Sequence, residues 1–193
     1  MVWHPEPGVM VEMKQAVAKN PQPQKESVPS PLRVCFVCTG NTCRSPMAAA
    51  VANALAESER AQYPDAVRDA ISLRLIAVSR GLYAGDGDPI SENAILALEA
   101  AGVKPCPEQD YHKHVARTVS DEDAQETDLF VAVSARHAME LLLRFPNAAQ
   151  KIVCMPRAIS DPWGGDLSRY AACLQEITEC VRELLFHAQK ESE

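Results

Sequence analysis

The chain has no apolar run that approaches the ~20 residues of a membrane-spanning helix, so we expect no contact with a membrane. Basic residues are in the minority, because 19 Lys and Arg stand against 26 Asp and Glu and give a formal net charge of −7. An acidic surface repels polyanions, which disfavours general nucleic-acid binding. The 47% of hydrophobic and 23% of charged residues are typical of a soluble globular protein.

Other features are missing as well. The segment Met1-Val2-Trp3-His4-Pro5 has no basic stretch that leads into an apolar segment, so we expect no secretory signal. No Gly-Lys-Ser/Thr triplet of a nucleotide-binding Walker loop occurs. The 7 cysteines are odd in number and unevenly spread through a chain too long for a disulfide scaffold. We interpret them mostly as reduced thiols of a cytoplasmic protein.

The first 31 residues differ in composition from the rest. They hold six prolines, which block helical and ladder hydrogen bonds: Pro5, Pro7, Pro21, Pro23, Pro29 and Pro31. We predict a flexible arm at 1–31, a single domain at 32–189 and a short tail at 190–193. A short amphipathic helix that uses Val9, Met13 and Val17 is the alternative for part of the arm.

From Leu32 onward, strand-like and helix-like segments alternate. Buried strands are predicted at 33–37, 73–79, 129–133 and 151–155, and helices at 46–57, 91–101, 135–144 and from 167, with a short capped helix after Ser120. Ser91 is the predicted cap of the second helix and Gly102 its stop. This order indicates parallel strands joined by right-handed crossovers. Ligands of such folds bind at the carboxyl ends of the strands.

The first strand-to-helix junction carries a pattern for anion chemistry. The strand leads into Cys38-Thr39-Gly40-Asn41-Thr42-Cys43-Arg44-Ser45-Pro46. A loop wrapped around an anion presents successive N–H groups, and the helix that follows adds the positive end of its dipole. Gly40 permits close backbone approach, Asn41 tolerates left-handed geometry, and Arg44 offers a fork to phosphate oxygens. These surroundings favour a Cys38 thiolate, which is a nucleophile toward a phosphoryl group. The alternative is a core cysteine and a surface arginine at an ordinary turn.

A cysteine nucleophile needs a general acid for the leaving group, and Asp161 is the candidate. It lies in Ser160-Asp161-Pro162-Trp163-Gly164-Gly165, between the fourth strand and the last helix. The fold can therefore bring Asp161 to the sheet edge where Cys38 lies. A plain Asp-Pro turn is the alternative.

Together these segments resemble the low-molecular-weight protein-tyrosine phosphatase family. The resemblance rests on residues 37–46 and Asp161-Pro162, with weaker support from Ser79-Arg80-Gly81-Leu82 and His114-Val115-Ala116-Arg117, and it covers about residues 33–187. It implies a four-stranded parallel sheet flanked by helices, in a three-layer, flavodoxin-like arrangement. It also implies that the protein uses no metal and no cofactor.

The resemblance implies a role for each site residue. Cys38 would be the nucleophile, Arg44 would bind phosphate, and Asp161 would be first the acid and then the base. Ser45 would hydrogen-bond the Cys38 thiolate, and Asn41 would hold the shape of the loop. The other predicted phosphate- and substrate-binding residues are Thr39, Gly40, Thr42, Cys43 and Trp163. The partner would be a phosphorylated protein, and we expect a monomer or a weak dimer.

Within the family, the chain looks most like the bacterial protein-arginine phosphatases. Thr42 stands where tyrosine-specific members usually have an aliphatic residue, and Trp163-Gly164-Gly165 stands where those members commonly carry tyrosines. Asp161 could pair with a guanidinium, which a phenol does not offer. Tyrosine specificity stays the alternative. Less favoured are a thiol-relay arsenate reductase, for which Cys106 is one further cysteine, and an inactive phosphoprotein-binding domain.

Three smaller interpretations concern cysteine and histidine. As the resemblance implies, Cys43 could form a reversible disulfide with Cys38; it could equally be a small buried side chain. Cys35 lies inside a predicted strand and is interpreted as core rather than as half of a metal or redox pair. His112 and His114 alternate in a loop without partner carboxylates, and we expect a structural hydrogen bond from His114 rather than a metal site.

Overall fold

The computed structural model describes residues 30–62, 75–106 and 109–186. The strands there are β1 (Leu32–Cys38), β2 (Leu75–Gly81), β3 (Leu129–Ala132) and β4 (Ile152–Cys154). The helices are α1 (Arg44–Ala61), α2 (Glu92–Ala100), α3 (Asp121–Glu126), α4 (Ala135–Arg144) and α5 (Leu167–Phe186). The predicted arm, apart from its last two residues, and the predicted tail lie outside the described residues.

The four strands form one parallel sheet in the order β2-β1-β3-β4, which confirms the predicted fold class. The first strand occupies the centre, where Cys35 pairs with Val78 on one side and with Phe130 on the other. A central parallel strand is covered on both faces, and this explains why β1 is a continuous apolar run.

Helices cover both faces of the sheet. On one face, Val34 and Phe36 belong to the core that β1 forms with α1, α2 and α5. On the other face, Cys35 packs in a second cluster with Leu141 of α4. Cys35 is fully buried, and burial raises the pKa of its thiol to about 12. The prediction that Cys35 is a core residue is therefore confirmed.

The free edge of β2 is closed by a side chain rather than by another strand. Asn53 of α1 donates its Nδ2 to the Ala77 carbonyl at 2.9 Å and accepts the Ala77 N–H on Oδ1 at 2.8 Å. The amide group thus replaces one ladder partner of β2. The helix that follows the anion loop is by this means fixed against the sheet.

Several predicted boundaries need correction. The first helix begins at Arg44 rather than Pro46 and continues to Ala61, because the turn after Cys43 is already helical. Ser91 precedes α2 as predicted, but its hydroxyl donates to Tyr170 Oη at 3.0 Å and makes no cap hydrogen bond. The capping box of α3 is confirmed, as is the stop at Gly102, whose φ is +70°.

Within the described ranges, no helix has both the length and the hydropathy needed to cross a membrane. The carboxyl ends of β1 and β2 converge on the loop between Cys38 and Arg44. The loop between β4 and α5, which carries Asp161, reaches the same edge of the sheet. This convergence creates the candidate site.

Candidate active site

Asn41 holds the anion loop from behind. It is fully buried and has a positive φ of 57°, the left-handed geometry expected for it. Its Nδ2 donates to the hydroxyls of Ser45 and Ser79, each at 2.9 Å, and its Oδ1 accepts the Arg117 N–H at 2.9 Å. One side chain thus ties the loop to α1, to β2 and to the segment before α3.

The carbonyl of Asn41 is held as well. His114 Nε2 lies 2.8 Å from this oxygen. Because a carbonyl only accepts, Nε2 must carry a proton. Burial lowers the pKa of His114, and the nearby Arg80 and Arg117 lower it further, so the neutral form is favoured. The expected structural hydrogen bond of His114 is confirmed.

The end of β2 lies unusually close to the loop. A Cβ atom on Gly81 would lie 2.7 Å from the Thr39 carbonyl oxygen and 3.1 Å from the Cβ of Asn41. The Leu82 and Tyr83 N–H groups donate to the carbonyls of Cys38 and Thr39, both at 2.9 Å. A glycine at 81 is therefore what allows these backbone bonds to form.

Cys38 lies at the base of the loop with 2% of its surface exposed. Its Sγ is 3.0 Å from Ser45 Oγ and accepts the Asn41 N–H at 3.3 Å. The Ser45 hydroxyl also lies 3.2 Å from the Arg80 carbonyl. When Cys38 is a thiol, it can donate to Ser45 while Ser45 donates to Arg80. When Cys38 is a thiolate, Ser45 can turn its proton to the sulfur.

Arg44 and Asp161 form an ion pair across the mouth of the loop. Arg44 donates from Nη2 to Asp161 Oδ2 at 2.6 Å, and Trp163 N–H donates to the other carboxylate oxygen at 3.2 Å. The Arg44 side chain is 9% exposed and that of Asp161 is 53% exposed. The carboxylate thus stands at the guanidinium fork, where a phosphate oxygen would otherwise bind.

A pocket of about 250 Å³ opens above Cys38, and the predicted site residues divide around it. Its lining comprises Cys38, Thr39, Gly40, Thr42, Cys43, Arg44, Asp161 and Trp163. Asn41 and Ser45 are fully buried and support the loop from behind. A groove of about 520 Å³ shares Thr42 and Trp163 with the pocket and runs along Pro89, Ser91 and Gly165. The pocket can hold a phosphoryl group, and the groove can hold the chain that carries it.

Cys43 is buried, and its Sγ lies 3.2 Å from Tyr170 Oη. Burial, followed by the hydrogen bond with Cys43, raises the pKa of Tyr170 to about 12. The sequence pattern of α5 puts Tyr170 on an apolar face of the helix, yet its hydroxyl joins Ser91 to the anion loop. Cys43 both lines the pocket and packs in the core cluster beneath it.

His137, in the first turns of α4, is a site residue that the sequence reasoning missed. Its Nε2 lies 2.9 Å from Thr39 Oγ1 and its Nδ1 lies 2.7 Å from Ser134 Oγ. Burial lowers its pKa, with further lowering by Arg44 and Arg136. The available signal was its place in the helix directly after β3, whose carboxyl end lies at the same edge of the sheet.

Two alternatives receive no support from this geometry. Cys106, considered for a thiol relay, is not among the residues that line the pocket above Cys38. The expectation that these histidines lack partner carboxylates is wrong for His112, which lies within 3.1 Å of Glu99 and Asp110. His114 contacts Asn41 instead, so the two histidines have separate partners. Asp110 and Glu99 raise the pKa of His112, as an exposed ion pair does.

Comparison with known proteins places this fold and site in a family. Residues 33–193 match the family model described as low molecular weight phosphotyrosine protein phosphatase. A protein-arginine-phosphatase of Geobacillus stearothermophilus is 29% identical over 168 residues, which cover 83% of this chain and 99% of that protein. A low molecular weight protein-tyrosine-phosphatase of Streptomyces coelicolor is 31% identical over 174 residues, with 83% and 96% covered.

The three-dimensional comparison agrees. The crystal structure of a low molecular weight protein tyrosine phosphatase from T. tengcongensis superposes with a TM-score of 0.65 at 30% identity, and 79% of this chain and 97% of that chain are covered. The resemblance inferred from the anion loop is thereby confirmed. The chain belongs to the low-molecular-weight, cysteine-based family of protein phosphatases.

Proposed function

We propose that this protein is a cysteine-dependent phosphatase that removes phosphate from phosphoarginine residues of proteins. The observation that carries the proposal is the single pocket that brings Cys38, Arg44, Asp161 and Thr42 together. The likeness to a protein-arginine-phosphatase supports it. The tyrosine-specific relative is similar at 31% identity, so the choice between substrates rests on the residues of the pocket.

In the first step, Cys38 attacks phosphorus in line. The loop N–H groups and the Arg44 fork stabilise the charge on the equatorial oxygens. The sulfur gives an electron pair to phosphorus and the P–N bond breaks. Asp161, which takes up a proton from solvent when it leaves Arg44, gives this proton to the leaving nitrogen. Because Asp161 occupies the Arg44 fork in the free protein, the incoming phosphoryl group must take its place at Arg44. Asp161 is then free to meet the leaving group.

In the second step, water hydrolyses the cysteinyl-phosphate. Asp161 takes a proton from this water as its oxygen attacks phosphorus. The S–P bond breaks, inorganic phosphate leaves, and Cys38 returns as a thiolate held by Ser45 and by the Asn41 N–H. The same carboxyl group thus acts first as acid and then as base, and its proton returns to solvent when Asp161 pairs with Arg44 again.

Thr42 carries the choice of substrate. Its side chain lies between the pocket and the groove, and a Cβ on Gly40 would lie 3.8 Å from Thr42 Oγ1. A hydroxyl at this position offers a polar partner to the phosphoguanidinium group. An aliphatic side chain would offer only apolar contact, which suits a phenyl ring.

The test is phosphate release from a phosphoarginine protein and a phosphotyrosine peptide, measured side by side. We expect Cys38→Ser to lower turnover of both by about 10⁴-fold or more. Thr42→Val keeps the shape and removes the hydroxyl, and we expect it to lower kcat/KM for phosphoarginine by about 10-fold while phosphotyrosine changes little. Equal losses on both substrates would show that Thr42 does not select. Wild-type preference for phosphotyrosine would assign the alternative substrate.

The compartment also belongs to this proposal. Among the described residues, six cysteines are free thiols, namely Cys35, Cys38, Cys43, Cys154, Cys173 and Cys180, and Cys38 must stay reduced to act. These thiols support a reducing compartment, and we infer a cytoplasmic enzyme. The substrate partner is then a cytoplasmic phosphoprotein, whose modified side chain enters the pocket while its backbone occupies the neighbouring groove.

A further inference from the structure

Ser160, the residue before Asp161, is bound by α5 at all three of its polar groups. Its N–H donates to Glu176 Oε2 at 2.9 Å and its hydroxyl donates to Glu176 Oε1 at 3.1 Å. Its carbonyl accepts the Cys173 thiol at 3.4 Å. The Glu176 carboxylate therefore accepts two hydrogen bonds from Ser160, and Cys173 of the same helix donates to the Ser160 carbonyl.

These bonds help to define the direction in which the Asp161 side chain points away from the backbone. The Ser160 carbonyl belongs to the peptide plane that ends at the Asp161 nitrogen, so fixing this carbonyl fixes the plane. On the other side, Pro162 has no N–H to donate. The last upstream anchor of the loop backbone is the bond from Ile159 N–H to the Val133 carbonyl, at 3.0 Å. The Pro162 carbonyl accepts the Gly165 N–H at 2.9 Å within the same loop. The clamp on Ser160 is therefore the backbone contact nearest to Asp161 that joins this loop to another element.

The side chain of Asp161 has few restraints of its own. It is half exposed and contacts Arg44 and the Trp163 N–H. A phosphoryl group that takes the Arg44 fork replaces the stronger of these two contacts. From that moment, the position of the carboxyl group depends mainly on the backbone that carries it, and proton transfer requires hydrogen-bond distance to the leaving atom.

We propose that Glu176 is a positioning residue that holds Asp161 in reach of the leaving group, through Ser160. This role rests on the proposed function of the site. Glu176 itself does not touch the substrate. Its two oxygens hold the loop so that the proton donor is already aligned when the phosphoryl group arrives, and a misalignment of about 1 Å would cost up to ~10²-fold in rate.

Loss of a positioning role should lower the rate by an amount that depends on the leaving group, whereas loss of a purely structural role should lower the rate equally for all leaving groups. Good leaving groups depart without a proton, whereas poor ones need the acid. We therefore expect Glu176→Ala to lower kcat/KM by about 10-fold or more for phosphoarginine and phenyl phosphate, but by less than about 2-fold for p-nitrophenyl phosphate. Across a series of aryl phosphates, the rate should fall more steeply with leaving-group pKa than in the wild type.

The matched control is Glu179→Ala, one turn further along α5. Glu179 binds the exposed Arg157 at 2.7 Å and makes no contact with Ser160. Glu176→Gln keeps one acceptor and should fall between the wild type and Glu176→Ala. If Glu176→Ala proves too unstable, Ser160→Ala removes the hydroxyl contact alone and should give a smaller loss with the same leaving-group pattern.

The decisive measurement combines the change with Asp161→Asn. If Glu176 acts through Asp161, adding Glu176→Ala to Asp161→Asn lowers phenyl phosphate turnover no further. Losses that multiply, or that are equal for all leaving groups, would overturn the positioning role. Wild-type turnover that survives Cys38→Ser would instead overturn the proposed function, and the role of Glu176 with it.

Discussion

The two walls of the phosphate pocket are built differently. The inner wall, formed by the anion loop, is buried, and Asn41 and Ser45 behind it have no exposed surface. The outer wall, formed by the loop of Asp161 and Trp163, is open, with Trp163 76% exposed. In the proposed mechanism, the inner wall presents fixed N–H groups to a phosphoryl group, whereas the outer wall admits the substrate and lets the phosphoryl group replace Asp161 at Arg44. Rigidity and exposure are thus divided between two sides of one site.

Replacing the central side chain of the inner wall should have the largest effect. Asn41→Ala removes three hydrogen bonds, two of them buried and one partly buried, and places alanine at a φ of 57°. Unsatisfied buried partners cost about 1–3 kcal/mol each, so we expect a loss of about 3–5 kcal/mol in the free energy of unfolding. The kcat/KM for any phosphate ester should fall by about 10²-fold, because the loop loses its shape. Urea unfolding and steady-state kinetics measure the two effects.

The matched change on the outer side is Asn93→Ala. Asn93 donates to the Gly165 carbonyl at 3.2 Å, beside the groove. With one weaker, partly buried bond at stake, we expect a loss below about 1 kcal/mol. A cost equal to that of Asn41→Ala would contradict the contrast between the two walls.

The inner wall was largely predictable from sequence, and the reason is local. The anion loop occupies one short turn that holds Cys38, Gly40, Asn41 and Arg44. Their spacing, together with the strand before them and the helix after them, predicts an anion loop. The capping box at Ser120 and the limits of α4 are equally local and are confirmed. Strand boundaries differ from the predicted ones by one or two residues, because pairing with a strand distant in sequence determines them. For example, β4 is predicted at 151–155 but ends at Cys154, which pairs with Ala132, the last residue of β3.

The supports of the site were not predictable in the same way. His137, Tyr170 and Glu176 reach the site from helices about 100 or more residues away from Cys38. The sequence pattern assigns Tyr170 to the apolar face of a helix and Glu176 to the charged surface of the same helix, and neither assignment indicates a contact with the site. Only the packing of α4 and α5 against the sheet decides which of their polar side chains face the loop. Single-sequence patterns do not contain that information.

A change of intermediate size in the free energy of unfolding is expected at His137 of α4, which contacts Thr39 of the inner wall. Burial lowers the pKa of His137 in the folded protein. Below the ordinary pKa of about 6.5, the imidazole is therefore protonated more readily in the unfolded chain than in the folded protein. The free energy of unfolding should therefore fall as pH decreases below about 6.5. Glu140 and Asp161 oppose this lowering, while Arg44 and Arg136 favour it.

His137→Gln tests this coupling. The amide can keep bonds to Thr39 and Ser134 but does not titrate, so we expect a loss of about 1 kcal/mol at pH 7 and a smaller loss of stability between pH 7 and pH 5 than in the wild type. Urea unfolding at both pH values measures it. Burial lowers the pKa of His114 as well, so we expect His114→Gln to reduce the loss of stability between pH 7 and pH 5 in the same way. An unchanged pH dependence in His137→Gln would show that this imidazole does not contribute.

The smallest effect on stability is expected at the outer wall. Trp163 is largely exposed, so Trp163→Ala should change the free energy of unfolding by no more than about 0.5 kcal/mol. Because the indole lines both the pocket and the groove, we expect KM for a phosphoprotein to rise by about 5-fold while small aryl phosphates change little. Thermal unfolding and kinetics on the two substrate sizes measure this. A clear drop in stability would mean that the outer wall is packed as tightly as the inner one, and the division between a rigid phosphate cradle and an adaptable entrance would be wrong.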